Sequence, residues 1–306
     1  MTMSGDQNPD GAHAKDLHSW EELASELTAI RNEYPRALIL YRGQPDSNWS
    51  LETTLDRFMR EELSSSKPVK PVGLKEYLRY CLKCSPHIES VTGRSWELPE
   101  KVPSVTTLKK RLNSSEIPWL EYLAYLRHHG FPSPLLDWTR SPYIAAFFAF
   151  AKVSLECKRV AVFCYIEYPR GSKTWDLDLQ EPRIVCTSPY YCTHQRHFLQ
   201  KSTYTCAVLW NSLAKRLEFA GYGEIIAGNS PDQDRVIKLT IPANERTSAL
   251  ESLHWDHNVT EFNLFGTEES LLASLAWDER RALLQMPSKQ PSSPPDEGPS
   301  HPHGHI

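Results

Sequence analysis

The segment from His128 to Ala151 limits what this chain can fold into more than any other part of it. His128-His129-Gly130-Phe131-Pro132-Ser133-Pro134 is a polar turn punctuated by Gly and Pro. Leu135-Leu136-Asp137-Trp138-Thr139-Arg140-Ser141-Pro142 leads from it into Tyr143-Ile144-Ala145-Ala146-Phe147-Phe148-Ala149-Phe150-Ala151, which is apolar on every side. A helix without a polar face has to be buried. Ser141 as cap and Pro142 at the first helical position start it, and Ala145, Ala146 and Ala149 let it lie close against a sheet. A carboxylate, an indole, the hydroxyls of Thr139 and Ser141 and two imidazoles thus gather where the chain enters its core. Each has to be paired there or serve a ligand.

Elsewhere the pattern alternates between helices and strands. Residues 1–16 are polar and read as unstructured. Ser19-Trp20-Glu21-Glu22 has the form of a capping box, and Trp20, Leu23, Leu27 and Ile30 recur at helical spacing behind it. Ala37 to Tyr41 reads as a buried strand ending at Arg42-Gly43-Gln44, where Gly43 permits a turn or a close backbone approach. Leu74 to Cys84 is helical, with Leu74, Leu78 and Cys81 on one side. Residues 64–118 otherwise show little periodicity and are expected to form a partly ordered insertion. Trp119, Tyr122, Leu123 and Leu126 mark a further helix that Gly130 caps. Val160–Ile166, Val236–Ile241 and Gly223–Ala227 have strand character. Leu271–Leu284 is helical, with Leu272, Leu275 and Ala276 as its inner face. Residues 286–306 are a disordered tail rich in Pro, Ser and His. The folded part, 17–285, is expected to be one α+β domain, a mixed sheet core with packed helices.

Composition removes several classes of function. A net charge of −4 gives no strong nucleic-acid signal, and the apolar run Tyr143–Ala151 is too short to span a bilayer. The amino terminus lacks the apolar stretch of a signal peptide. Seven cysteines without a framework pattern fit reduced thiols in a cytoplasm. Cys81-Leu82-Lys83-Cys84 and the irregular group Cys186, Cys192, His194, His197 do not give the two well-spaced pairs of a structural zinc, so no metal site is expected. A metal-dependent nuclease or hydrolase lacks its acidic cluster, and no phosphate-binding Gly-rich loop or Ser elbow is present.

Tyr41-Arg42-Gly43-Gln44, Trp49, Leu51, Thr54-Leu55, Arg57 and the whole stretch His128–Ala151 resemble the FRG domain family, named for its early Phe/Tyr-Arg-Gly motif. Arg196, Gln200, Tyr204-Thr205, Lys238 to Pro242 and Asn263-Leu264-Phe265 continue the resemblance, which covers roughly residues 19 to 280. The chain departs from the family at Arg127, where Gln is usual, at His129, where an aromatic is common, at Ser133-Pro134 for Thr-Arg, and at Ser202 for Gly. A more distant likeness is to mono-ADP-ribosyltransferases, through Tyr41-Arg42-Gly43, then Thr139-x-Ser141 with Ala145 and Phe148-Ala149, then Gln200 or Glu224. The resemblance implies an ADP-ribosyltransferase-like fold that binds NAD and acts on an unknown macromolecular target, as a toxin or phage-defence effector. The alternative is a non-catalytic recognition module in which the same residues form a structural polar network.

On this reading Arg42, Asp137, Gln200 and Glu224 are the candidate catalytic residues, and Tyr41, Arg42, Gly43, His128, Trp138, Thr139 and Ser141 the candidate cofactor-binding ones. Arg42 would hold an anionic phosphate through its fork; its structural alternative is an ion pair with Asp137. Asp137 would orient a nucleophile or accept a proton, or accept turn amides. Trp138 would stack on a base or fill the core. Thr139 and Ser141 are divided between ligand and helix cap. His128 and His129 sit at a helix end, as acid or base or as capping groups. Gln200 would bind a ribose hydroxyl without supplying negative charge, whereas Glu224 would stabilise a positive ribose carbon.

Overall fold

The computed structural model describes residues 11–63, 71–169, 182–187, 195–228 and 234–285. In chain order the first elements are β1 (His13–Asp16), α1 (Glu21–Glu33), β2 (Leu38–Gln44), α2 (Thr54–Leu63), α3 (Leu74–Thr92), α4 (Val105–Asn113) and α5 (Leu120–His128). There follow β3 (Leu135–Thr139), α6 (Pro142–Ala151), β4 (Arg159–Glu167), β5 (Arg183–Cys186), α7 (Gln195–Leu199), β6 (Ser202–Asn211) and β7 (Arg216–Phe219). The last are α8 (Tyr222–Gly228), β8 (Arg235–Pro242), α9 (Arg246–Trp255), α10 (Glu261–Phe265) and α11 (Glu268–Gln285). The expected α+β class is what these elements form: among the described residues, a mixed eight-stranded sheet in the order β1-β8-β4-β2-β3-β6-β5, with β7 also paired to β6. β1 runs parallel to β8 and the other pairings are antiparallel.

Strand alternation sorts the core into three packs. In β4, Val160, Val162, Cys164 and Ile166 join a cluster with α1, α6 and α9, while Ala161, Phe163 and Tyr165 join another with Leu136, Trp138 and α8. In β6, Tyr204, Cys206 and Val208 pack under α3, α4 and α5, and Ala207 faces the α8 side. The α6 pack and the α5 pack therefore share one face of the sheet and meet over the β2–β3 seam. That seam is thin: Tyr41 opposite Thr139 is the register pair between the two strands.

Gly43 fixes how close α6 comes to this seam. A Cβ built on it would lie 1.8 Å from the Ala145 carbonyl oxygen and 2.7 Å from the Ala149 amide nitrogen. The glycine serves a close backbone approach within a strand that continues through Gln44, and not a turn at the strand's end. Ser141 caps α6 by accepting the Ile144 amide, with Pro142 in the first turn, as its sequence implies.

Several elements differ from expectation. His13–Asp16 is a strand although all four side chains are exposed, because it pairs in parallel with β8 through its backbone, with Thr240 Oγ1 also donating to Asp16 Oδ1 at 2.6 Å. Glu22 reaches back to the amide of His18 (2.9 Å), one residue before the expected partner, and the residue at the cap position is Trp20. The insertion region supplies α3, with Leu74, Tyr77, Leu78 and Cys81 buried, and α4, capped by Ser104. Gly223–Ala227 lies in helix α8, with Tyr222, Ile225 and Ile226 buried at helical spacing. In α11, Leu272 and Leu275 are 59% and 49% exposed, and Ser270 is the buried position instead. Residues 1–10 and 286–306 lie outside the described residues.

Candidate functional site

Where the two helical packs meet over the β2–β3 seam, a cleft of about 370 Å³ opens, within the range of roughly 300–1,000 Å³ of small-molecule sites. Tyr41, Arg42 and Gly43 of β2 line it with Asp137, Trp138 and Thr139 of β3. His128 from the end of α5 and Gln200 just after α7 complete the set that sequence reasoning had selected. Ser141 and Glu224 do not line it: Ser141 is committed to its cap, and Glu224 is exposed in the first turn of α8.

Beyond its one register pair the seam is bridged by a side chain. Arg42 Nη1 donates to the Asp137 carbonyl at 2.7 Å, a role an amide would fill in a closed ladder. The expected Arg42–Asp137 ion pair is thus replaced by a contact to the backbone. Arg42 Nε is buried and, among the described residues, has no hydrogen-bond partner. Burial pushes the Arg42 guanidinium down to about 10; Asp137 opposes this, and the nearby Arg127 and Arg57 add to it.

Arg127 takes the Asp137 carboxylate. Its Nε donates to Asp137 Oδ1 and its Nη1 reaches Thr54 Oγ1 at 3.4 Å. The Arg127 side chain is 8% exposed and that of Asp137 39% exposed. Burial alone would raise the Asp137 pKa, but the Arg127 charge and hydrogen bond outweigh it and hold the carboxyl below its usual range. Thr54 in turn accepts the Ser133 amide at 2.9 Å, and Leu55 donates to the Ser133 carbonyl. The early Thr54-Leu55 segment is therefore tied to the central turn. Arg127 stood out in the sequence only as a departure from the family pattern; its signal was the cation that ends the run Tyr122–Leu126.

The remaining predicted residues divide by face. Trp138 turns its indole away: Nε1 donates to Thr205 Oγ1 at 2.8 Å, and the ring packs 5.5 Å from Tyr165 in the α8-side core. Thr139 Oγ1 accepts the Ser141 amide at 3.1 Å. His128 Nε2 shares a 3.0 Å hydrogen bond with the buried Tyr204 hydroxyl, whose pKa burial raises. Gln200 Nε2 donates to the Leu264 carbonyl at 3.2 Å, which fixes the amide at the edge of the cleft. His129 instead packs on Tyr125. Lys152, Arg196, Phe148, Phe265, Ser202 and Pro45 also line the cleft, although the sequence did not mark them as candidate site residues. They add two cations and two aromatic rings to it.

The six described cysteines are free thiols, and burial pushes Cys81 up to about 12, far from a nucleophile. Cys192 and His194 lie outside the described residues; among the described residues no His, Cys, Asp and Glu group is suited to a metal ion. No described helix is long and apolar enough to cross a membrane.

Residues 37–157 match the FRG domain family. The chain contains an FRG domain. The match takes in β2, the central turn, β3 and α6, and so both walls of the seam, but is narrower than the expected 19–280. Gln200, Arg196 and Ser202 reach the cleft from outside the matched FRG segment. No curated protein and no solved structure matches the chain.

Proposed function

We propose that the seam cleft binds NAD and that this FRG-domain protein is an ADP-ribosyltransferase-like effector acting on a macromolecule. The observation that carries this reading is the convergence of Arg42, Asp137 and Gln200 from three distant stretches on one cleft. Arg42, Lys152 and Arg196 supply the positive charge that a pyrophosphate needs. Phe148 and Phe265 offer apolar faces for a planar base, and Gln200 and Ser202 offer hydrogen bonds to sugar hydroxyls. In the reaction the bond from ribose C1′ to nicotinamide nitrogen breaks and its electron pair leaves with the nicotinamide. A nucleophilic atom of the target then bonds to C1′ and its proton passes to a base, for which His128 is the group in the cleft.

A second reading, recognition without turnover, has specific support. Positive charge developing at C1′ calls for a carboxylate, but Glu224 is outside the cleft and Arg127 already neutralises Asp137. Incubating the full chain with NAD labelled in the adenylate moiety, alone and with a cell extract, separates the two. Nicotinamide release with label on a macromolecule supports transfer. Saturable NAD binding without release leaves the NAD site and removes the transfer reaction, and no NAD binding rejects the NAD site and supports the recognition module.

A further inference from the structure

Resting on that reading, we infer that Asp137 is a specificity residue: its carboxylate accepts the 2′-hydroxyl of the ligand's adenosine ribose, so the cleft takes NAD and rejects NADP. The geometry around the group leads there. Arg127 occupies Oδ1 and Arg42 occupies the main-chain carbonyl. Among the described residues Oδ2 receives no hydrogen bond, while the side chain remains 39% exposed where it borders the cleft. An ionised carboxylate with one open oxygen is a strong acceptor for a hydroxyl.

Its neighbours decide what it accepts. Arg127 cancels the charge of Asp137 and Arg42 stands next to it, so the locality does not attract a cation. The same neutralisation makes Asp137 a poor stabiliser of a cationic C1′, which places it at the ribose that does not react. A hydroxyl donor fits an acceptor oxygen, whereas a 2′-phosphate brings no donor to Oδ2, and the cations that could take its charge are engaged: Arg127 at Oδ1, Arg42 at the main-chain carbonyl and, on the proposed reading, at the pyrophosphate. The same logic of a carboxylate on the ribose hydroxyl sorts NAD from NADP in unrelated dinucleotide folds. Arg127 is then a positioning residue, since it fixes the carboxylate without reaching the ligand.

Calorimetric titration of the full chain with NAD, NADP and the NAD analogue lacking the adenosine 2′-hydroxyl tests this without altering the protein. NAD is expected to bind at least about tenfold tighter than either of the others, as for loss of a hydrogen bond to a charged group. In Asp137→Asn the NAD-to-NADP ratio should fall to within about threefold. Equal affinity of the wild type for all three ligands overturns the inference and leaves the NAD site standing. Failure of NAD itself to bind overturns both. Should Asp137→Asn not fold, the wild-type ligand series still decides.

Discussion

Gly43→Ala is expected to lower the melting temperature by about 10 °C or more. The new Cβ would sit 1.8 Å from the Ala145 carbonyl oxygen and 2.7 Å from the Ala149 amide nitrogen. Both are main-chain atoms of α6, so no side-chain rotation relieves the clash. Ordinary overpacking costs about 1–3 kcal/mol; moving a buried helix off its strand is expected to cost about 4 kcal/mol or more, a large part of the roughly 5–15 kcal/mol that holds a domain together. Circular dichroism melts check this. A variant melting within about 2 °C of the wild type would mean that α6 does not rest on β2 as described.

Arg42→Met is expected to separate binding from folding. Its guanidinium lies buried with one hydrogen bond to a carbonyl and one unpartnered Nε, and its pKa is pushed down to about 10. A depression of that size corresponds to a cost on the order of 3 kcal/mol for carrying the charge at neutral pH. The hydrogen bond to Asp137 offsets about 1.5–3 kcal/mol of this. Methionine removes both contributions while keeping most of the volume, so the melting temperature should stay within about 3 °C. NAD affinity should fall by about 100-fold, as for loss of a bidentate phosphate contact. A collapse in stability together with unchanged affinity per folded molecule would instead make Arg42 a purely structural strut.

Much of this was legible in the sequence where chemistry and periodicity coincide. Ser141-Pro142 announced α6, its alanines announced the tight packing that Gly43 completes, and the β-branched runs of β4 and β8 alternate between two cores as strands must. Other parts were hidden for identifiable reasons. Tyr222, Ile225 and Ile226 form a short apolar run in which strand and helix look alike, and the exposed Glu224 between them was the cue to a helix. His13–Asp16 bury no side chain, so no alternation marks that strand. In α11 Leu272, Leu275 and Ala276 suggested an inner face, but the helix meets its neighbours through Ser274, Trp277 and Asp278.

The site was half legible. Arg42, Asp137 and Gln200 could be named because their motifs stand out, yet which groups pair with which depended on register. The single Tyr41–Thr139 pair puts the Asp137 carbonyl within reach of Arg42, leaving the carboxylate to Arg127 from α5. Trp138 illustrates the limit: one residue along a strand reverses the face, and its indole points into the α8-side core.

The most direct test is to crystallise the full chain with NAD and locate the ligand. NAD is expected in the cleft at the β2–β3 seam, with its phosphates within hydrogen-bonding distance of Arg42 and a ribose beside Asp137. NAD bound elsewhere on the molecule, or a seam cleft empty at saturating NAD, would contradict it.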